Sequence, residues 1–258
     1  MIPWEELDRA PVPGGGELTL LRRGDEFSIR AGTQELMNSR MHGSEEALAA
    51  RGCAGLVRDS GVETPVRGAP VRGAQARGAP DRGVRVLVGG LGMGFTLRAC
   101  LDWLGPGARV DVAELVPAVV RWNRGPLAHL AGGPLGDARV HLYETDVGEL
   151  IRGSREVYDA ILLDVDNGPA ALASGSNARL YGAGGLAEAA RALAPGGVYA
   201  LWSPADDRRF TERLRRAGFE VATERVPARP GGGGRHVLWV ARLTKKSRGS
   251  LRFPVPRR

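Results

Sequence analysis

Residues 84–117 read VRVLVGGLGMGFTLRACLDWLGPGARVDVAELVP. The short apolar run 84–88 predicts a buried strand, Gly89 to Gly94 a loop, and 95–104 a helix. Residues 108–113 predict a second strand, and Pro117 suits the first turn of a following helix. Strand, glycine loop, helix and strand in this order are the opening unit of a nucleotide-binding open sheet. Parallel strands joined by right-handed helical crossovers follow from that order.

The alternation continues toward the C-terminus. Strands are expected at 138–143, 158–163 and 198–202, with helices near 147–152, 183–194 and 206–217. Pro195-Gly196-Gly197 ends the second of these helices. The last two strands, 219–226 and 236–242, have no helix between them. They are expected to pair antiparallel at one sheet edge. The fold class is therefore α/β, with a seven-stranded, mostly parallel sheet and an antiparallel last hairpin.

Upstream, 17–22 and 26–31 flank Arg23-Gly24-Asp25 and predict a small β hairpin, with a third extended stretch at 33–37. Ser44 before Glu45-Glu46 is expected to cap a helix. The chain divides into a small β region (1–38), a larger Rossmann-like α/β domain (39–243) and a basic tail (244–258) expected to be disordered. Within the domain, 65–83 (PVRGAPVRGAQARGAPDRG) is a low-complexity insert with Arg every five residues.

A formal charge of +7 and a pI near 10.2 would ordinarily suggest nucleic acid. The tail, however, carries six basic residues and no acidic one, and the insert four Arg against Asp81. Without them the remaining chain is two charges to the negative side. An RNA-binding use of the insert lacks the aromatic residues that base stacking needs. A solvated tail is favoured over a nucleic-acid arm. No apolar run reaches the roughly 20 residues of a membrane span. The acidic start Met1–Ala10 predicts no signal peptide. Cys53 and Cys100 make neither a disulfide framework nor a metal cluster, and the four histidines lack metal spacing. A soluble cytoplasmic protein without a metal is expected.

Ligands of such sheets bind beyond the carboxyl ends of the strands. Gly89, Gly90, Gly92 and Gly94 let the backbone approach a ligand closely. Glu114 ends the second strand, where one carboxylate can accept both hydroxyls of a ribose. Asp146, after the third strand, suits an adenine amino group, a helix N-cap, or both. Asp164-Val165-Asp166-Asn167 opens the loop after the fourth strand, where crowded carboxylates can hold an amine or take its proton. His42 is a candidate to face the crevice; His129 and His141 are read as structural.

Together these residues resemble the spermidine synthase family, whose domain has the Rossmann-like class I S-adenosylmethionine methyltransferase fold. GGLGMGFTLRA resembles its glycine loop, Glu114 in AELVP its ribose-binding acid, Thr145-Asp146 its adenine-side Asp, and YDAILLD its fourth strand and catalytic loop. Leu180-Tyr181 and LAPGGVYALWS resemble the following helix and strand. The resemblance implies aminopropyl transfer from decarboxylated S-adenosylmethionine to an amine, with methylthioadenosine as the other product. Asp164 is implied as the base, Asp166 as its assistant, and Glu46, Asn167 and Tyr181 as substrate contacts. Met93 stands where the family's glycine loop has an Asp, Asn167 where its catalytic loop has a second Asp, and Ser44-Glu45 where it has Tyr-His. Transfer of a methyl group from S-adenosylmethionine itself to a small molecule is the alternative, as is a non-catalytic nucleoside-binding homologue. The expected partner is a small amine or other small acceptor, with no membrane. Nucleic acid is disfavoured and a homodimer is left open.

Overall fold

The computed structural model describes residues 2–56, 83–165, 178–229 and 232–244. Alternation along Leu18-Thr19-Leu20 builds the first layer: both leucines are buried and the threonine is not. The strands are β1 (Glu5–Pro11), β2 (Glu17–Arg23), β3 (Glu26–Ala31) and β4 (Gln34–Asn38), paired antiparallel in chain order. The expected hairpin is thus a four-stranded sheet. Its first strand, EELDRAP, buries only Ala10. Such a polar edge strand is held by its ladder to β2 and carries almost no apolar pattern to read.

Helix α1 (Gly43–Cys53) begins before Ser44, not at it. His42 occupies the cap position without a side-chain bond, and Ser44 is buried in the first turn. The expected Ser44 cap is therefore corrected.

The second sheet contains β5 (Arg85–Gly89), β6 (Arg109–Ala113), β7 (Val140–Tyr143), β8 (Tyr158–Leu163), β9 (Leu193–Ser203), β10 (Phe219–Arg229) and β11 (Gly232–Leu243). Their spatial order is β10-β11-β9-β8-β5-β6-β7. The five strands β7, β6, β5, β8 and β9 run parallel, and β11 is antiparallel to both β9 and β10. The last strand therefore inserts between β9 and β10. The helices are α2 (Phe95–Trp103), α3 (Pro117–Arg124), α4 (Val147–Gly153), α5 (Ala178–Tyr181), α6 (Ala183–Ala192) and α7 (Arg208–Arg216). Helix α6 stops at Ala192, and Pro195-Gly196-Gly197 lies inside β9 instead of in a separate loop.

Both faces of the sheet are covered, so its strands bury side chains on both sides. Val86, Val88 and Leu162 face α1, α2, α3 and the small sheet; Leu87, Ile161 and Leu163 face Ile151, Leu186 and Phe210. Leu20 and Ile29 share the first of these cores. Trp122 Nε1 on α3 donates to Asp8 Oδ2 at 2.7 Å. The small sheet is thereby held over one face of the large sheet. Asp111, fully buried in mid-strand, is neutralised by Arg85 (2.7 Å) and Arg109 (2.8 Å). Among the described residues, no helix is long and apolar enough to cross a membrane.

Candidate active site

Strand order reverses between β5 and β8, which opens a crevice at their carboxyl ends. The glycine loop leaves β5 there. Gly90, at φ +90°, donates from its amide to Ala113 O at 2.8 Å. A Cβ on Gly90 would collide with the carbonyl oxygen of Asp164. Asp164 N in turn donates to Gly89 O at 2.8 Å, so the two strand ends are laced together. Gly92 approaches Met37, and Gly94 stands at the start of α2.

Glu114, 7% exposed, follows β6. Its Oε2 accepts from Leu91 N at 2.9 Å and its Oε1 from Val116 N at 2.8 Å. Burial raises its pKa, and the backbone donors of Val116, Leu91, Gly92 and Leu115 oppose that rise. Each oxygen keeps a further lone pair for a ligand hydroxyl. Asp146 caps α4, accepting from Gly148 N at 2.6 Å. Both acids line a cavity of about 370 Å³ between the sheet end and the small sheet. Gly90, Gly92 and Asp164 form its floor; Leu18, Ile29 and Leu36 form its roof.

An adjoining cavity of about 250 Å³ shares Gly92, Met37 and Asp164 with the first. Ser44, Glu45, Met93, Phe95, Trp202 and His236 enclose it. Asp164 Oδ2 accepts from Thr96 Oγ1 and Oδ1 from Trp202 Nε1, each at 2.5 Å. The Trp202 indole stacks on His236, centroids 4.7 Å apart. His236 Nδ1 lies 2.9 Å from Ser44 Oγ, which donates to Glu45 Oε2 at 2.6 Å. Cross-strand register explains the stack: Leu238 pairs with Trp202, so His236, two residues away, shares Trp202's face.

Burial, first, and the nearby Asp164 charge, second, push the Glu45 pKa up to about 8. Burial also raises Asp164, but the donors Thr96 and Trp202 oppose the rise and favour its ionised form. Of the pair, Glu45 therefore holds the proton and Asp164 the charge. Burial lowers the pKa of His236. A carboxyl whose pKa is raised on folding stabilises the fold fully below the ordinary carboxylate range. That contribution is lost as pH rises through the folded value, here about 8. Glu45→Gln should remove this loss. In thermal melts its Tm is expected to gain on the wild type's as pH rises from the ordinary carboxylate range to about 8 and to keep a constant lead above that, by roughly 2–4 °C per kcal/mol of relieved repulsion. Parallel Tm–pH curves would count against the shift.

The structure brings Gly90, Gly92, Glu114, Asp146 and Asp164 to the walls of one cavity, with Gly89 and Gly94 framing the loop. Asp166 and Asn167 lie outside the described residues, as do the insert through residue 82 and the tail from residue 245. Glu46 lines neither cavity; it is exposed and pairs with His42 Nδ1 at 2.8 Å. His42 stacks on the outer side of Phe95, centroids 4.4 Å apart. Tyr181 is 1% exposed in the second core, edge-on to Phe210, and lines neither cavity. Glu45, Thr96, Trp202 and His236 are the site residues that sequence reasoning missed. Trp202 and Thr96 could have been found by position, at a strand's carboxyl end and in a helix's first turn. His236 carries no such signal. Among the described residues no group of three His, Cys, Asp or Glu is placed to hold a metal ion.

No family model matches the chain. Polyamine aminopropyltransferases of Mycobacterium tuberculosis and Mycobacterium bovis are 33% identical to it over 150 residues. The match covers 55% of this chain, and the chain spans 28% of the length of those relatives. The crystal structure of spermidine synthase from Thermotoga maritima superposes with a TM-score of 0.65 at 16% identity, covering 92% of this chain and 72% of that one. A probable spermidine synthase from Corynebacterium glutamicum gives 0.58 at 15%, covering 92% and 79%. A spermidine synthase in complex with the transition-state analogue AdoDATO gives 0.64 at 16%. The fold is that of the spermidine synthases.

Proposed function

We propose that the chain is a spermidine synthase-like transferase that moves an aminopropyl group from decarboxylated S-adenosylmethionine to a small amine. One observation carries this reading. Two cavities meet at Asp164, and the described residues lining them include Glu17, Glu35, Glu45, Glu114 and Asp146 but no Lys or Arg. A sulfonium donor and an ammonium acceptor are both cations. Holding them side by side requires anionic walls that offset their mutual repulsion.

The larger cavity suits the nucleoside. Glu114 would accept from the ribose hydroxyls and Asp146 from an adenine amino group, with Leu18 and Ile29 against the base. The smaller cavity suits the amine, with Asp164 between the two reacting centres. Orientation of the pair would supply much of the rate. The intact cofactor carries a carboxylate that these walls would repel, so the decarboxylated donor is favoured. One observation favours methyl transfer from the intact cofactor instead: Met93 lines the smaller cavity without a charge.

Calorimetric titration with decarboxylated S-adenosylmethionine, S-adenosylmethionine and methylthioadenosine tests the proposal. The decarboxylated donor is expected to bind most tightly. Glu114→Gln should weaken all three by roughly 10- to 100-fold, since its amide cannot accept from Leu91 and Val116 together and a lost buried acceptor costs about 1–3 kcal/mol. Preference for the intact cofactor would favour the methyltransferase reading; no binding of any of the three would remove both.

A further inference from the structure

We infer that Glu45 accepts the proton of the attacking amine, that Ser44 and His236 relay it outward, and that Asp164 anchors the ammonium without taking its proton. The inference rests on the transferase reading above and deepens it.

The two carboxylates in the smaller cavity differ in what already touches them. Both oxygens of Asp164 are held by directed donors, Thr96 Oγ1 and Trp202 Nε1. Trp202 can only donate, so protonating Oδ1 would set a hydroxyl against an N–H. The two donors thus favour the charged form of Asp164 against the burial that opposes it. Glu45 receives one side-chain donor, Ser44 Oγ on Oε2. It lines the cavity from α1 and is linked through Ser44 to His236 on β11. The titratable groups facing it are Asp164 at the end of β8, His236 through Ser44, Glu46 on its own helix and Glu35 across the cavity on β4. Its raised pKa is that of a base matched to an alkylammonium near neutral pH.

The step balances with one proton removed. In the ionised form of Glu45, which grows as pH rises through about 8, an N–H proton of the ammonium passes to the carboxylate, freeing the nitrogen lone pair. That pair forms the N–C bond to the aminopropyl carbon as the C–S bond breaks. The C–S pair stays on sulfur, so the sulfonium becomes a neutral thioether and the product is a secondary ammonium. Glu45, now protonated, donates to Ser44 Oγ. With His236 in its Nε2–H tautomer, the Ser44 hydroxyl turns to donate its proton to the Nδ1 lone pair as the Nε2 proton leaves, and Ser44 keeps the proton received from Glu45. The stack on Trp202 fixes the imidazole for this transfer and ties the relay to the anchor.

The test follows methylthioadenosine release from decarboxylated S-adenosylmethionine with a panel of alkyl diamines across pH. Glu45→Gln is expected to lower kcat by about 10²- to 10⁴-fold and to abolish the rise of kcat with pH, leaving donor KM little changed. Glu45→Asp should recover part of kcat. Ser44→Ala and His236→Gln should lower kcat with the fold intact and move the pH limb. Wild-type kcat and an intact limb in Glu45→Gln, with the limb lost in Asp164→Asn, would overturn the assignment. If the wild type releases nothing with any diamine, the transferase reading fails separately. The relay is then read by NMR titration of Glu side-chain carboxyl carbons and His236 ring nitrogens. Glu45 and His236 should titrate with mutually linked steps that Ser44→Ala uncouples. Independent titrations in the wild type would overturn the relay without reference to turnover.

Discussion

On the transferase reading proposed above, Asp164→Asn should lower kcat/KM for the amine by roughly 10³-fold, the scale for removing one preorganised electrostatic contact from a water-poor site. Two effects combine. The wild-type carboxylate accepts from Thr96 Oγ1 and Trp202 Nε1 together. An amide has one acceptor oxygen. If that oxygen faces Trp202, the amide nitrogen faces Thr96, whose hydroxyl must turn to accept. The loop end then survives, but the charge that opposes the ammonium is gone. Removing it also removes the second-largest cause of Glu45's raised pKa. The Glu45 titration should therefore move down toward the ordinary carboxylate range. Steady-state kinetics with varied amine and the pH dependence of kcat read both effects. An amine KM and a pH limb unchanged from wild type would remove Asp164 from the role of anchor.

Gly90→Ala should destabilise the fold and abolish nucleoside binding. Gly90 sits at φ +90°, where an L side chain costs roughly 1–2 kcal/mol. Its Cβ would also strike the Asp164 carbonyl, which belongs to backbone and not to a flexible side-chain tip. Relieving such overpacking costs about 1–3 kcal/mol more. The total, roughly 2–5 kcal/mol, corresponds to a Tm lower by about 5–20 °C at this chain length. Separating β5 from β8 would also displace Leu91, whose amide holds Glu114. Calorimetric binding of methylthioadenosine should be lost at temperatures where circular dichroism still shows a folded protein. Gly105, which has open space around its Cβ, is the control, and alanine there should change Tm little. Equal melting of the two variants would mean that the close approach of the strand ends is not needed.

Much of this architecture was legible in the chain. The apolar runs at 84–88 and 158–163, each followed by a polar or glycine-rich loop, set the parallel strands within a residue or two. Glu114 follows β6 directly and Asp146 lies three residues beyond β7, so placing the strand places the acid. What local pattern missed has a common cause. β1 is polar and exists through pairing with β2. The placement of β11 between β9 and β10 is a choice between sheet edges that neither strand's composition encodes. Glu46 was the acid singled out by resemblance, yet the turn of α1 sends its neighbour Glu45 into the cavity. One residue along a helix rotates a side chain by about 100°, and the helix cap lies two residues before the expected position.

The sequence by itself determined the parallel strands, the glycine loop, the two acids beside the larger cavity and Asp164. All of them belong to consecutive strand–loop–helix units, in which chain order fixes spatial order. Only the tertiary structure decided the smaller cavity. Its ring joins Asp164 to Trp202, 38 residues away, and Ser44 to His236, 192 residues away. Contacts at such separations are made by sheet order and helix rotation, which no local periodicity records.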